Sequence, residues 1–291
     1  MRISNDWKNY EIFDAGNGEK LERWGNIILR RPDPQAMWDV PNYEKWKSAD
    51  AFYHRSSKGG GNWDFNKKLP NEWTITYKEL TFKVRPTNFK HTGLFPEQAI
   101  NWDYMMNKIK KENRPIKVLN LFAYTGGATM ACSKAGAYEV VHVDASKGMI
   151  EWAKENMHLS GLDNNKIRFI VDDCLKFVER EARRGNKYDA IIMDPPSYGR
   201  GPNGEVWKFE KNIYNLITAC IKILSSEPLF FLINSYTTGI SHIVLGNILK
   251  TTLLKKYPDG TIETGEIGLP ITRDNLILPC GIYGLWENKG E

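Results

Sequence analysis

Val118-Leu-Asn-Leu-Phe-Ala-Tyr-Thr-Gly-Gly127 is an apolar run that stops in a glycine turn. Three later apolar runs stop in acids: at Asp144, at the pair Asp172-Asp173, and at Asp194, which opens Asp194-Pro-Pro-Ser-Tyr198. In an open parallel α/β sheet, ligands bind in the crevice outside the carboxyl ends of the strands. A glycine turn, three acidic strand ends and a Pro-Pro loop, in that order, predict such a sheet with its site along one edge.

Outward from this stretch the chain alternates between strand and helix. Strands are expected over 118–122, 139–144, 167–171, 188–194 and 229–235, and helices over 98–111, 128–135, 147–160, 175–184, 210–224 and 242–256. Segments 261–267 and 276–286 are expected to finish the sheet as an antiparallel pair. The predicted fold is α/β, a mostly parallel, doubly wound sheet with a C-terminal antiparallel strand. No internal repeat is present.

The first 80 or so residues read differently. Short strands are expected over 10–14 and 27–31, beside Gly16, Gly18 and Gly25, and a hairpin over 73–77 and 80–84 with Lys78-Glu79 at its turn. Pro32, Pro34 and Pro41 oppose long helices, and Gly59-Gly60-Gly61 reads as a loop. Trp7, Trp24, Trp38, Trp46, Trp63 and Trp73 form either the core of a small β-rich domain or a base-stacking surface. The expected domains are therefore 1–88, β-rich, and 89–291, the α/β sheet.

Bulk properties narrow the class. The 291 residues are 41% hydrophobic and 26% charged, as in an ordinary globular protein. No apolar run approaches the roughly 20 residues of a membrane helix. Met1-Arg-Ile-Ser-Asn-Asp-Trp7 has no signal-peptide core, so the expected location is the cytoplasm. Cys132, Cys174, Cys220 and Cys280 are far apart and show no metal-ligand spacing, so neither metal nor disulfide is expected. The net charge of +5 suits a polyanionic partner without requiring one. The cluster Lys108, Lys110, Lys111, Arg114 and Lys117 is open to two readings, nucleic-acid contact or a solvated helix face.

The turn chemistry points to a particular guest. Gly126 and Gly127 let backbone pass close to a ligand. The dinucleotide fingerprint Gly-x-Gly-x-x-Gly is absent, so a pyrophosphate is not the obvious occupant. Backbone amides and the Thr125 hydroxyl suit an amino-acid moiety. An acid at Asp144 can accept both hydroxyls of a ribose. At the third strand end one acid can accept from an adenine amine while the other caps the next helix; Asp173 is assigned to adenine and Asp172 to support. Together these residues describe a pocket for adenosine carrying an amino-acid tail, which is S-adenosylmethionine.

The stretch 118–198 resembles the core of class I S-adenosylmethionine-dependent methyltransferases, a Rossmann-like fold. Thr92-Gly93 with Gln98, then Asn120-Leu-Phe-Ala-Tyr-Thr-Gly-Gly127, then Asp194-Pro-Pro-Ser-Tyr198 resemble the branch containing the bacterial large-subunit ribosomal RNA cytosine-C5 methyltransferases. The resemblance covers roughly residues 80–290. It implies that Phe122, Tyr124, Thr125 and Gly126 wrap the methionine end and that Asp144, with Ala145 and Ser146, holds the ribose. It further implies that Asp173 and Cys174 frame the adenine, that Thr92 and Gln98 close the pocket, and that S-adenosylhomocysteine is the product. Asp194, Pro195, Pro196 and Tyr198 would hold a base extruded from its stack.

Two departures from that branch matter. Ser197 intervenes before Tyr198, which displaces the stacking ring. The catalytic cysteine of C5 chemistry has no counterpart in Ile233-Asn-Ser-Tyr-Thr-Thr-Gly239, and Cys220 on the preceding helix is a poor substitute. The expectation is therefore methyl transfer to RNA, ribosomal in kind, at a nitrogen. The alternatives are a small-molecule or protein methyltransferase and, from another class, a non-catalytic RNA-binding protein. Residues 199–207 read as a mobile lid or specificity loop in which Arg200 meets a phosphate or carboxylate and Trp207 either stacks on substrate or packs its own helix. His91 and His242 are candidate bases or satisfied structural histidines. The sequence leaves the oligomeric state open.

Overall fold

The computed structural model describes residues 1–40, 44–56 and 60–289, so Pro41 and Gly59 lie outside the described residues. The chain divides into two compact units, one of Arg2–Ile100 with Ile267–Cys280, the other of Asn101–Glu266 with the residues from Gly281 onward.

The first unit carries β1 (Arg2–Ile3), β2 (Tyr10–Gly16), β3 (Glu19–Trp24), β4 (Ile27–Pro32), β5 (Ala51–Arg55), β6 (Gly61–Phe65), β7 (Trp73–Tyr77) and β8 (Leu80–Val84). Strands β2, β3 and β4 form an antiparallel meander; β5 joins β4 in parallel and β6 closes on β5. The hairpin of β7 and β8 forms as expected, with Lys78 at φ 52° in its turn. Four strands of this unit escaped the sequence reading: β1, β3, β5 and β6. Glu-Lys-Leu-Glu-Arg-Trp lacks the β-branched residues of a typical strand. It holds because Glu22 is fully buried and takes Arg31 and the Tyr10 hydroxyl. Gly61 opens β6 rather than ending a loop.

The tryptophans of this unit are structural struts. Trp24 is buried, and the other five indoles donate inward: Trp7 to Pro96, Trp38 to Ala15, Trp63 to Thr87 and Trp73 to Trp24 carbonyls, and Trp46 to the Asp14 carboxylate.

The second unit contains α1 (Ala99–Lys111), β9 (Lys117–Leu121), α2 (Gly127–Lys134), β10 (Glu139–Asp144), α3 (Lys147–Leu159), β11 (Ile167–Val171), α4 (Cys174–Arg184), β12 (Ala190–Met193), β13 (Tyr198–Arg200), β14 (Val206–Lys208), α5 (Phe209–Ile221), β15 (Phe230–Ser235) and α6 (His242–Lys256). Two long strands follow, β16 (Thr261–Ile271) and β17 (Leu276–Glu287), each divided between the units. Its sheet order is β11-β10-β9-β12-β15-β17-β16. The first five strands are parallel and β17 runs antiparallel to β15. This is the mostly parallel Rossmann-like sheet that the sequence predicts.

Strands β9, β12 and β15 are buried almost without break along their length rather than alternating, as expected of a parallel sheet covered on both faces. The strand order reverses beside β9, between β10 on one side and β12 on the other. That reversal opens the crevice at the carboxyl ends. The stretch expected as a lid or specificity loop, residues 199–207, takes part in an antiparallel hairpin of β13 and β14. The basic cluster proves largely structural. Lys108 pairs with Glu287, Arg114 with Asp189 and Lys117 with Glu139, leaving Lys110 and Lys111 exposed. No helix among the described residues is long and apolar enough to cross a membrane.

Candidate active site

The turn between β9 and α2 is held in an unusual backbone shape. Phe122 and Tyr124 adopt positive φ of 52° and 51°, and Gly126 lies at 89° as the residue preceding α2. Two non-glycine residues in the left-handed region within three positions store strain that the surroundings must hold. The Ala123 amide donates to the Val143 carbonyl, the Tyr124 amide to Asp144 Oδ2, and the Phe122 amide to Cys174 Sγ at 3.4 Å. The Asn156 side chain, buried on α3, donates to the Thr125 carbonyl. Beneath the turn Asn120 donates to Thr129 Oγ1, which meets His142 Nδ1 at 2.9 Å. Burial pushes His142 down to about 3, against the opposing pull of the Tyr124 backbone, so the imidazole is neutral.

Neither glycine of the turn tolerates a side chain. A Cβ on Gly127 would stand 2.6 Å from the Trp102 ring, and one on Gly126 would stand 2.9 Å from Met130 Cε. The second glycine is thus a packing requirement, and the first a backbone one.

Asp144 ends β10 half-buried, with Oδ2 on the Tyr124 amide and Oδ1 on the Ser146 amide. Burial raises its carboxyl, and the two amides act against that rise. Ser146 caps α3 through its hydroxyl, and Ala145 lies between it and the acid. At the next strand end the two acids divide their work. Asp173 Oδ1 caps α4 by accepting from the Lys176 amide, leaving Oδ2 without a partner among the described residues. Asp172 accepts from the Asp173 amide and pairs with Arg180 at 2.5 Å. Cys174 is buried behind the turn, and burial raises its thiol well above the ordinary range.

The loop after β12 is pinned by side chains. Asp194 is half-buried and Pro195 buried, whereas Pro196 and Ser197 are exposed. The Trp207 indole donates to the Pro196 carbonyl at 2.7 Å, the Phe209 amide to the Ser197 carbonyl, and the Ser197 and Thr237 hydroxyls meet at 2.9 Å. Trp207 also packs on Phe122, with ring centroids 4.9 Å apart. It is therefore a buried latch between the two loops and not a stacking surface. Tyr198 begins β13 and is 52% exposed.

The sequence from residue 51 to residue 225 matches the family of S-adenosylmethionine-dependent methyltransferases. The chain belongs to that family. Its structure matches that of an S-adenosylmethionine-dependent methyltransferase from Agrobacterium tumefaciens with a TM-score of 0.94 and 37% identity, over 99% of this chain and 93% of the other. Over 213 residues it is 36% identical to ribosomal RNA large subunit methyltransferase K/L of Shewanella frigidimarina, which covers 70% of this chain and 26% of that protein. Over 229 residues it is 26% identical to ribosomal RNA large subunit methyltransferase K of Neisseria meningitidis, covering 76% and 64% respectively. The chain thus spans about a quarter of the first relative's length and under two thirds of the second's.

The methyltransferase's cofactor is S-adenosylmethionine, and the crevice suits it. A half-buried carboxylate at a strand end and a free carboxylate oxygen on Asp173 are features that suit an adenosine. Thr92 and Gln98 lie in the other compact unit, both buried; the Thr92 hydroxyl has no hydrogen-bond partner among the described residues.

Ser235 ends β15 where C5 chemistry would need a thiol, and Thr237 donates its amide to Ser235 Oγ. Cys132 and Cys220 are fully buried, and burial raises both thiols. His242 is engaged by Thr264 at 3.0 Å. Burial, with the cations Arg31, Lys90 and Lys20, drives His91 down to about 4. Sequence reasoning missed Asn156, His142 and Thr237. An asparagine inside a helix and a histidine inside an apolar strand were the available signals.

Proposed function

We propose that this methyltransferase transfers the methyl group of S-adenosylmethionine to a nitrogen of a base in RNA, ribosomal RNA being the favoured substrate. One observation carries the choice of atom. The Asp194-Pro195-Pro196 loop stands at the end of β12, while the end of β15 offers Ser235 and no thiol. The names of the two ribosomal RNA relatives support the substrate class.

In this reading Phe122, Tyr124, Thr125 and Gly126 hold the methionine end, Asp144 with Ala145 and Ser146 the ribose, and Asp173 with Cys174 the adenine. Thr92 and Gln98 belong to the cofactor set in this reading, and residues 1–88 help to position the substrate. When bound, the cofactor supplies an electrophilic methyl group. The chain supplies orientation, which for a lone pair aimed along the S–CH3 bond is the main contribution. Asp194 accepts from the nucleophilic amine and keeps its lone pair aimed. A proline carbonyl of the loop is the second acceptor, and the Trp207 indole on the Pro196 carbonyl fixes its position. Tyr198 offers its ring at the rim.

The test uses methyl-labelled S-adenosylmethionine with total RNA, protein extract and small metabolites, each taken from cells lacking the gene, and Asp194→Ala as control. Label in RNA that digests to an N-methylated nucleoside supports the reading. Finding 5-methylcytidine would sink the nitrogen assignment, and label only in protein or metabolites would sink the RNA assignment.

A further inference from the structure

The β13–β14 hairpin has two unlike faces, because side chains alternate across a strand. Trp207 points inward and is buried, opposite Gly199 in the register. Tyr198, Arg200, Val206 and Lys208 all share the outward face and are exposed, with Tyr198 opposite Lys208 and Arg200 opposite Val206. Lys211, at the start of α5, is also exposed.

The charges on this face are not used by the fold. Arg200, Lys208 and Lys211 form no ion pair among the described residues, in contrast to the committed Lys108, Arg114 and Lys117. The hairpin's own acid, Glu205, is turned to Lys176 at 2.5 Å and to the Asn203 amide. Glu210 is the one exposed acid between Lys208 and Lys211 in sequence, so the face keeps a positive excess. Unpaired cations beside an exposed ring are the two elements that a single-stranded nucleic acid engages, its phosphates by charge and its bases by stacking. An acidic peptide would use the cations and leave the ring idle. The hairpin also follows Asp194-Pro195-Pro196 directly and is latched to it through Trp207 and Pro196.

We infer that the outward face of the β13–β14 hairpin is the docking surface for the RNA strand that flanks the target base. Arg200 and Lys208 bind its phosphates and Tyr198 stacks on one of its bases. This inference rests on the RNA reading above and adds to it the surface that grips the strand.

The experiment compares wild type with the Arg200→Ala/Lys208→Ala double variant. Two quantities are read: binding of fluorescein-labelled polyuridylate across a salt series, and the KM for total RNA in methyl transfer. Loss of two phosphate contacts makes the slope of log K against log salt shallower by about 1.4, at roughly 0.7 per contact on a single strand. The KM for RNA is expected to rise about tenfold, with cofactor affinity unchanged. A double variant with wild-type slope and KM overturns the docking surface while the RNA reading stands. A wild type that binds no RNA and labels protein instead overturns both. If the double variant loses cofactor affinity, Arg200→Ala alone gives the same reading with about half the slope change.

Discussion

The two loops that meet at the crevice are held by different means. The β9–α2 turn is shaped by its own backbone: positive φ at Phe122, Tyr124 and Gly126, amides given to Val143, Asp144 and Cys174, and no room for a Cβ at Gly127. The loop after β12 is shaped from outside, by the Trp207 indole on the Pro196 carbonyl and by Thr237 on Ser197. A backbone-held turn constrains its own residues and so writes a motif into the sequence. A loop held by distant side chains leaves most of its specification elsewhere. The first should fail as a unit in cofactor binding, the second in methyl transfer.

The sharpest break of that contrast is Asp194→Ala. Methyl transfer should fall by about a thousandfold, the scale on which removal of a positioned polar group at the reacting centre is felt. Cofactor affinity, measured by calorimetry, should stay near wild type. A comparable loss of cofactor affinity would mean that the loop and the turn are one site.

Gly127→Val is next. Its Cβ meets Trp102, and overpacking of this kind costs about 1–3 kcal/mol where backbone must shift. Cofactor affinity is expected to drop up to about a hundredfold while the fold persists, as read by circular dichroism. Unchanged affinity would show that the turn can yield.

A third test uses acid. His142 has its ordinary value of 6.5 lowered to about 3 by burial. The unfolded chain therefore takes up a proton below about 6.5 that the folded chain refuses. Stability is full above 6.5 and declines as the pH falls toward 3. At pH 5 the loss from this histidine is about 2 kcal/mol, from about 1.4 kcal/mol per pH unit. Urea unfolding at pH 7 and pH 5 checks it, and His142→Asn should remove most of the difference. An unchanged pH dependence in that variant would refute the assignment.

The smallest effect separates the two loops most cleanly. Trp207→Phe keeps a ring against Phe122 and removes the donor to Pro196. One lost hydrogen bond is worth about 1 kcal/mol, so methyl transfer should slow by about fivefold to tenfold. Cofactor affinity should not change, and a variant affected equally in both would make Trp207 a mere packing residue.

The N-terminal unit shows the same lesson at the scale of a fold. In the second unit, strand after strand of mostly apolar residues predicted the sheet and its carboxyl-end acids, because both faces of a parallel sheet are covered and polar interruptions such as Asn120 and His142 are few. In the first unit, Glu-Lys-Leu-Glu-Arg-Trp conceals β3. Glu22 is held in its interior by Arg31, which also donates to the Lys90 carbonyl. Opposing charges on neighbouring strands, nine residues apart, balance one another there: burial works to raise the Glu22 carboxyl, and Arg31, Lys20 and the hydrogen bonds from Arg31 and Tyr10 overcome it and take it to about 2. No local pattern announces such a pair.

The sequence by itself determined the α/β class, the place of the crevice, the glycine turn, Asp144, the paired acids and the Pro-Pro loop. Each of these is a local consequence of where an apolar strand ends. Only the tertiary structure decided which acid caps α4, that Pro196 is committed to Trp207, and that Tyr198 and Arg200 face outward on a hairpin. It also decided that His142 lies neutral beneath the turn. These outcomes depend on which distant group fills each donor, acceptor and charge once the chain is folded. Which partner each takes, from the Lys176 amide three residues beyond Asp173 to the Thr237 hydroxyl forty beyond Ser197, is set by packing, and the local pattern does not name it.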